Sequence, residues 1–314
     1  MLQLLLGGSG SGKTTLLYQR IRARAEKGEK SILLVPEQFT SSTEGRIYRE
    51  LGDALSGMVE SFSFTSLAEK ILSTEGGAAV QTLSDAGRAV LVRRALEELQ
   101  DNVHYYHRHR RSAAFCQMAA QTIDELKSAG LSGQQLAQLA GACGAESGKL
   151  SELALIFQGY ETLLARSGMD PSDRLELAGA RLEEALARHS LPEFLRDRAV
   201  FIDEFDTFNA PKKRLLGALL AALPSVTVAL CDDGAPLLPG DLSLFSGAKQ
   251  VAAQLRQLAR KNGAEVAVPQ LLRKDLRHRN APGLAAVAEL LENGSCTVDA
   301  PAGEVRLFAA PSRE

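Results

Sequence analysis

The segment that most constrains the fold lies at the start of the chain. Gly7, Gly8, Ser9, Gly10, Ser11, Gly12, Lys13 and Thr14 spell G-x-x-x-x-G-K-[ST] directly after the apolar run Leu2–Leu6. The sequence predicts a short buried strand, a glycine loop and a helix from Lys13 to about Lys27, with Leu16, Leu17, Arg20, Ile21 and Arg24 at helical spacing. Glycines let backbone N–H groups turn inward around phosphate oxygens without a Cβ clash. The helix that follows aims its positive end at the same anion. On this reading residues Gly7–Thr14 and Thr15 bind a nucleoside triphosphate. Lys13 reaches the β- and γ-phosphates and the Thr14 hydroxyl holds Mg²⁺, so ATP and Mg²⁺ are the implied cofactors.

Ser31–Val35 reads as the next strand and is ended by Pro36. Strand, helix and strand at this spacing form a βαβ unit and require a parallel sheet with helices on its faces. Met58–Phe62 is a third strand candidate, with a helix from about Ser66. Between about 75 and 195 strand signals vanish. Phe115, Met118, Ala119, Ile123 and Leu126 share one helical face, as do Leu150, Leu153, Phe157, Tyr160 and Leu164. Ser132 with Gln135 predicts a capping box, and Asp170 with Pro171 opens a helix running to about His189. The sheet pattern resumes with a strand at Ala199–Ile202, a helix at Pro211–Ala222 and a strand at Val226–Cys231. A helix at about Ala248–Asn262, a short strand at Val266–Val268 and a helix at Pro282–Glu292 follow. The expected architecture is α/β: a RecA-like P-loop domain of residues 1–74 and 196–314, interrupted by an all-helical insert of residues 75–195.

A P-loop needs a carboxylate on a neighbouring strand to orient the Mg²⁺ water shell. The strand Val200–Ile202 ends in Asp203 and Glu204. Asp203 is expected as the Mg²⁺ partner and Glu204 as the catalytic base that polarises an attacking water. Formal net charge is -2, so any nucleic-acid binding must come from a local basic surface. Cys116, Cys143, Cys231 and Cys296 are far apart with no C-x-x-C pair, which argues against a zinc site and fits a reducing cytoplasm. No apolar run approaches the roughly 20 residues that span a bilayer, and no membrane association is expected.

These pieces resemble superfamily 1 helicases, with Asp203-Glu204-Phe205-Asp206 in the place of D-E-x-Q and Glu60–Ala68 like a T-F-H-S segment. The helical block falls where their 1B insert falls, beside a 1A-like sheet domain. The chain is more closely similar to the N-terminal part of the AddB family, one of the two chains of the bacterial AddAB helicase–nuclease. The residues that carry this resemblance are the N-terminal P-loop, Val35–Thr40, Asp170–Asp173, Phe201–Asp203 with Phe205 and Phe208, and Ala309–Glu314. The resemblance implies a subunit in repair and recombination of double-strand DNA breaks. Its partners would be DNA and an AddA-like helicase–nuclease subunit. The family's nuclease domain and iron–sulfur cluster would lie beyond residue 314. The strand expected at 304–310 and the helix opening at 311–314, with Ser312 as N-cap, predict an N-terminal fragment of a longer protein.

The departures from the helicase pattern matter. Only Met1–Leu6 precede Gly7, so the upstream Gln that reads adenine in such helicases is expected to be absent, Asp206 replaces the Gln of D-E-x-Q, and Cys231–Ala235 lacks the coupling Gln. Nucleotide binding without efficient hydrolysis is therefore expected. Leu272–Arg279 is faintly similar to an N-Y-R-S segment, with Arg277 or Arg279 as its arginine. Thr40 and Ser66 are candidate DNA-backbone contacts. His104–Arg111 mixes bases with aromatics, as single-strand binders do, although a solvated loop has the same composition. The competing function is a self-sufficient P-loop ATPase or small-molecule kinase with the helical block as lid.

Overall fold

Four of the six residues of strand β1 (Leu2–Gly7) are leucine, and Leu2, Leu4 and Leu5 are fully buried. The structure, a computed structural model, describes residues 1–293 and Arg306. The strand expected at 304–310, Arg306 apart, the helix opening at 311–314 and Cys296 lie outside the described residues. After β1 come α1 (Lys13–Ala25), β2 (Ser31–Leu34), α2 (Thr40–Leu51), α3 (Asp53–Ser56) and β3 (Val59–Phe62). The helices α4 (Phe64–Glu75), α5 (Asp85–Glu98), α6 (Ala113–Ser128), α7 (Gly133–Ala140), α8 (Ser147–Ser167) and α9 (Pro171–Ala187) follow. The chain continues through β4 (Ala199–Ile202), α10 (Ala210–Ala222), β5 (Ser225–Cys231), α11 (Ser246–Lys261), β6 (Gln270–Leu272) and α12 (Pro282–Asn293).

The chain divides into two compact units. The first comprises Met1–Ser63, Phe194–Thr207 and the described part of Leu223–Glu314. It holds a six-stranded sheet in the order β3-β2-β4-β5-β1-β6, with every pairing parallel. Strands buried on both faces read as near-continuous apolar runs, as β1, β4 and β5 do. Alternate residues serve opposite faces. Leu5, Leu33, Phe201 and Ala229 share a core cluster with Leu17, Tyr18 and Ile21 of α1 and with Ile47 and Leu51 of α2.

Because all the strands are parallel, their carboxyl ends share one edge. The loops after β1, β2, β4, β5 and β6 therefore open on the same side. In such sheets ligands gather at that edge, where neighbouring strands send their connections in opposite directions. The strand expected at Val266–Val268 is displaced. Val266 makes a single bridge to Leu2, and the pairing strand is β6, whose Gln270–Leu272 match Leu5–Gly7. Three residues at a sheet edge carry too short a pattern to be read without their partner strand.

The second unit, Phe64–Glu193 and Phe208–Ala222, is helical apart from one parallel bridge between Thr82 and Met169. Val92, Leu96, Ile123, Phe157 and Tyr160 lie in its core. The capping box of Ser132 with Gln135 is present at α7. Helix α9 starts at Pro171 behind a second capping box, Asp170 with Asp173. One sequence expectation fails locally. Met118 is 57% exposed, so it sits at the margin of its helix's apolar stripe rather than in the core.

Candidate functional site

The loop between β1 and α1 is held by its own glycines. Gly10 (φ 81°) and Gly12 (φ 89°) adopt the left-handed region that side chains disfavour. A Cβ on Gly7 would lie 2.4 Å from Ser11 Oγ and 2.6 Å from the Leu272 carbonyl, so this position tolerates no side chain. Gly12 caps α1 without a side chain, and its carbonyl accepts the Leu16 N–H at 2.9 Å. The N–H groups of Lys13, Thr14 and Thr15 consequently have no intrahelical acceptor. The Lys13 ammonium turns back over the loop and donates to the Gly7 and Gly8 carbonyls, each at 2.8 Å.

Two strands away, β4 delivers Asp203 to the same edge. Asp203 is 6% exposed, its carboxylate accepts the Glu204 N–H at 3.0 Å, and the Thr14 hydroxyl lies near enough to favour its charged form. Burial pushes the Asp203 carboxyl above its ordinary range, against the opposite pull of Thr14, the Glu204 N–H, Arg46 and Lys13. Burial likewise lowers the Lys13 ammonium, against Cys231 and Asp203. The Glu204 carboxyl is raised by desolvation and then by Asp203, with Arg46 opposing. Glu204 also has a positive φ of 65°, a strained backbone for a residue with a Cβ.

Ser9, Gly10, Gly12, Lys13, Thr14, Thr15, Asp203 and Glu204 line one cavity of about 510 Å³. Arg46, Phe205, Asp206, Ala229, Cys231, Leu276 and Arg277 complete its wall. Gly7, Gly8 and Ser11 face a second cavity on the other side of the loop, beside Asp232, Asp233 and Glu292. The Ser11 hydroxyl is buried and has no hydrogen-bond partner among the described residues. Of the two candidate arginines, Arg277 lines the first cavity and donates to Ser9 Oγ at 2.9 Å, while Arg279 is exposed and outside it. The segment that carries Arg277 is pinned where the Leu276 N–H meets the Gly10 carbonyl at 3.0 Å.

Sequence reasoning missed Arg46 and Cys231 as members of this wall. Arg46 lies on α2, which follows β2 and therefore starts at the same sheet edge; its guanidinium sits 4.9 Å from the Tyr18 ring centroid. Cys231 is the last residue of β5 and pairs with Gly7. The other two expected contacts do not join the cavity. Thr40 opens α2 with its hydroxyl on the Glu37 carbonyl at 2.8 Å, and Ser66 is an exposed residue of α4 in the helical unit. Among the described residues no cluster of three or more His, Cys, Asp or Glu side chains is arranged to hold a metal ion. No helix among them is long and apolar enough to cross a membrane.

Comparison with known proteins sets this geometry in a family. The family described as "ADDB, N-terminal" matches residues 4–288. A relative from Desulforudis audaxviator (strain MP104C), named as the B chain of an ATP-dependent helicase/deoxyribonuclease, is 34% identical over 99% of this chain and 27% of its own length. Proteins of the same name from Moorella thermoacetica (strain ATCC 39073 / JCM 9320) and Geobacillus kaustophilus (strain HTA426) are 33% and 30% identical over 90% and 99% of the chain. The chain spans about a quarter of the length of these curated relatives. The match runs through both compact units, from the glycine loop to α12, and the chain belongs to the ADDB N-terminal family.

Proposed function

We propose that this region is the nucleotide-binding, helicase-like part of a DNA-repair helicase–nuclease subunit acting in the cytoplasm, with little motor activity of its own. The observation that carries the reading is the meeting of Lys13, Thr14 and Asp203 at the carboxyl ends of β1 and β4. The sheet order supports a RecA-like P-loop fold of the superfamily 1 type, with β5 between the glycine-loop strand and the acidic strand. Residues 1–74 with 196–314 would form the sheet domain and residues 75–195 the insert. The relatives' names add an ATP dependence and a DNA substrate. They also call the protein one subunit of an enzyme, which implies a partner that we take to be AddA-like. Family membership is what favours this reading over a small-molecule kinase.

The residues present fit a nucleoside triphosphate with Mg²⁺. The uncapped start of α1 and the Lys13 ammonium offer donors for phosphate oxygens, and Arg46 and Arg277 add positive charge to the same wall. The Thr14 hydroxyl and the Asp203 carboxylate are two adjacent hard oxygen donors, the type Mg²⁺ prefers. Bound ATP would supply the phosphoanhydride whose cleavage drives translocation in motor subunits. Glu204 stands at the cavity with a raised carboxyl pKa, a group able to accept a proton from water. Asp206 lines the cavity where helicases of the resembled type have Gln, a departure that goes with the proposed weak hydrolysis. Thr40 and Ser66 remain proposed contacts to the DNA backbone.

Ligand-induced stabilisation tests the reading. A ligand at about 100 times its Kd adds about 2.7 kcal/mol to stability. The expected result is a melting temperature that rises with ATP and Mg²⁺ and does not rise for Lys13→Ala. An equal rise in that variant would mean that nucleotide binds elsewhere.

A further inference from the structure

The loop between α5 and α6 carries charge that the nucleotide site does not use. Within residues 100–112 one carboxylate, Asp101, stands against Arg108, Arg110, Arg111 and the histidines His104, His107 and His109. None of the three arginines has an ion pair among the described residues, although basic neighbours on α5 and α8 pair with acids. Arg108 and Arg111 are exposed, and Arg110 is half-buried. Two nearby acids are already engaged. Glu146 pairs with Lys149 at 2.8 Å. Glu152 Oε1 accepts the His104 and Tyr105 N–H groups at 2.9 and 2.8 Å, and its Oε2 accepts those of Tyr105 and Tyr106 at 2.8 and 3.1 Å.

That carboxylate fixes the backbone of the loop from α8. Desolvation would raise the Glu152 carboxyl, yet the three N–H groups hold it below its ordinary range. The aromatic side chains are ordered by the same frame. Tyr106 packs on Phe115 with centroids 5.3 Å apart, and His109 packs on the same ring at 5.6 Å. Tyr105 stays outside this stack. It is 55% exposed, meets Tyr106 edge-on at 5.0 Å, and has the Lys149 ammonium 5.2 Å from its ring centroid. The pinned loop therefore presents an exposed ring together with three guanidinium groups that have no ion pair among the described residues. Single-strand binders use this combination: cations follow the phosphates and an aromatic face takes a base.

We propose that the 104–111 loop is a single-stranded nucleic-acid contact, with Arg108, Arg110 and Arg111 on phosphates and Tyr105 stacking on a base. This deepens the DNA half of the proposed function and is independent of the nucleotide half. The loop, Glu152 and Lys149 all lie in the helical unit.

The test is fluorescence anisotropy of the whole chain with a labelled oligothymidylate longer than a ~16-nucleotide site, beside a duplex of equal length, over a range of salt. Wild type should bind the single strand more tightly than the duplex. The combined Arg108→Ala, Arg110→Ala and Arg111→Ala variant should flatten the plot of log K against log salt by about 2, since each single-strand phosphate contact contributes about 0.7. Tyr105→Ala should weaken binding roughly 5- to 100-fold with little change of slope, and Tyr105→Phe should restore it. Unchanged melting temperatures show that the variants fold, and Lys13→Ala should bind the oligonucleotide as wild type does. The proposal is overturned if wild type fails to bind at low salt, if it prefers duplex, or if the triple variant and Tyr105→Ala bind normally. Binding lost instead in Thr40→Ala or Ser66→Ala would keep DNA contact in the molecule and remove it from this loop.

Discussion

Asp203 is a largely buried carboxylate in the wall of the cavity, and its surroundings only partly compensate the charge. Its folded pKa lies above the unfolded value, chiefly through burial. Below the unfolded pKa both states hold the proton and Asp203 adds no pH dependence. As pH rises from there to the folded pKa, the folded state binds more protons than the unfolded state, so stability falls. Asp203→Asn removes that loss. We expect the variant to be more stable than wild type at neutral pH, with the advantage shrinking as pH falls toward the unfolded carboxylate pKa, and to lose Mg²⁺-dependent nucleotide binding. Melting curves across pH check this; an Asn variant less stable at pH 7 would contradict it. Gly12→Ala places a Cβ at φ 89° and 2.9 Å from Leu276, and should destabilise by about 1–3 kcal/mol in a denaturant titration. Lys13, Thr14 and Asp203 could be read from the sequence because local motifs specify them. Arg46 enters the cavity from α2 with no local pattern linking it to Gly10, whereas Arg277 was one of two sequence candidates that only the fold separates.

At the scale of elements, the glycine loop and α9 start by opposite means. Helix α1 begins at a glycine that leaves its N–H groups open, as a phosphate site requires. Helix α9 begins at Asp170, 1% exposed, which accepts from Tyr160 Oη at 2.6 Å and Lys127 Nζ at 2.7 Å. That start is closed, and its function is structural: it ties α6, α8 and α9 together. Asp170→Ala should cost roughly 3–5 kcal/mol, because it strips a buried ammonium and a buried phenol of a shared partner. Urea unfolding measures it, and a loss under about 1 kcal/mol would show that Asp173 alone can hold Lys127. The capping residues of α7 and α9 were legible because side-chain caps are local chemistry. Strand β6 was not, since its register is fixed by β1, at the far end of the chain.

At the scale of the whole molecule, the sheet runs through three separated stretches of sequence, with a helical unit between its third and fourth strands. Parallel pairing puts every strand's carboxyl end on one edge, so residues as distant as Ser9, Asp203 and Arg277 line one cavity. The α/β pattern and the helical interruption were visible in periodicity; the strand order was not, because pairing partners leave no local trace in parallel strands. On the proposed helicase-like reading, Asp206 in the place of Gln predicts that turnover of ATP by this chain, with or without DNA, stays far below the roughly 1–100 s⁻¹ of efficient phosphoryl-transfer enzymes. A steady-state phosphate-release assay reaching that range would contradict it. The most direct test of the central claim is an equilibrium titration of the chain with a fluorescent ATP analogue and Mg²⁺, wild type beside Lys13→Ala. Saturable binding that weakens roughly tenfold or more in the variant is predicted, as expected for losing a charge-assisted contact. A folded wild type that binds no nucleotide, or a variant that binds equally well, would contradict it.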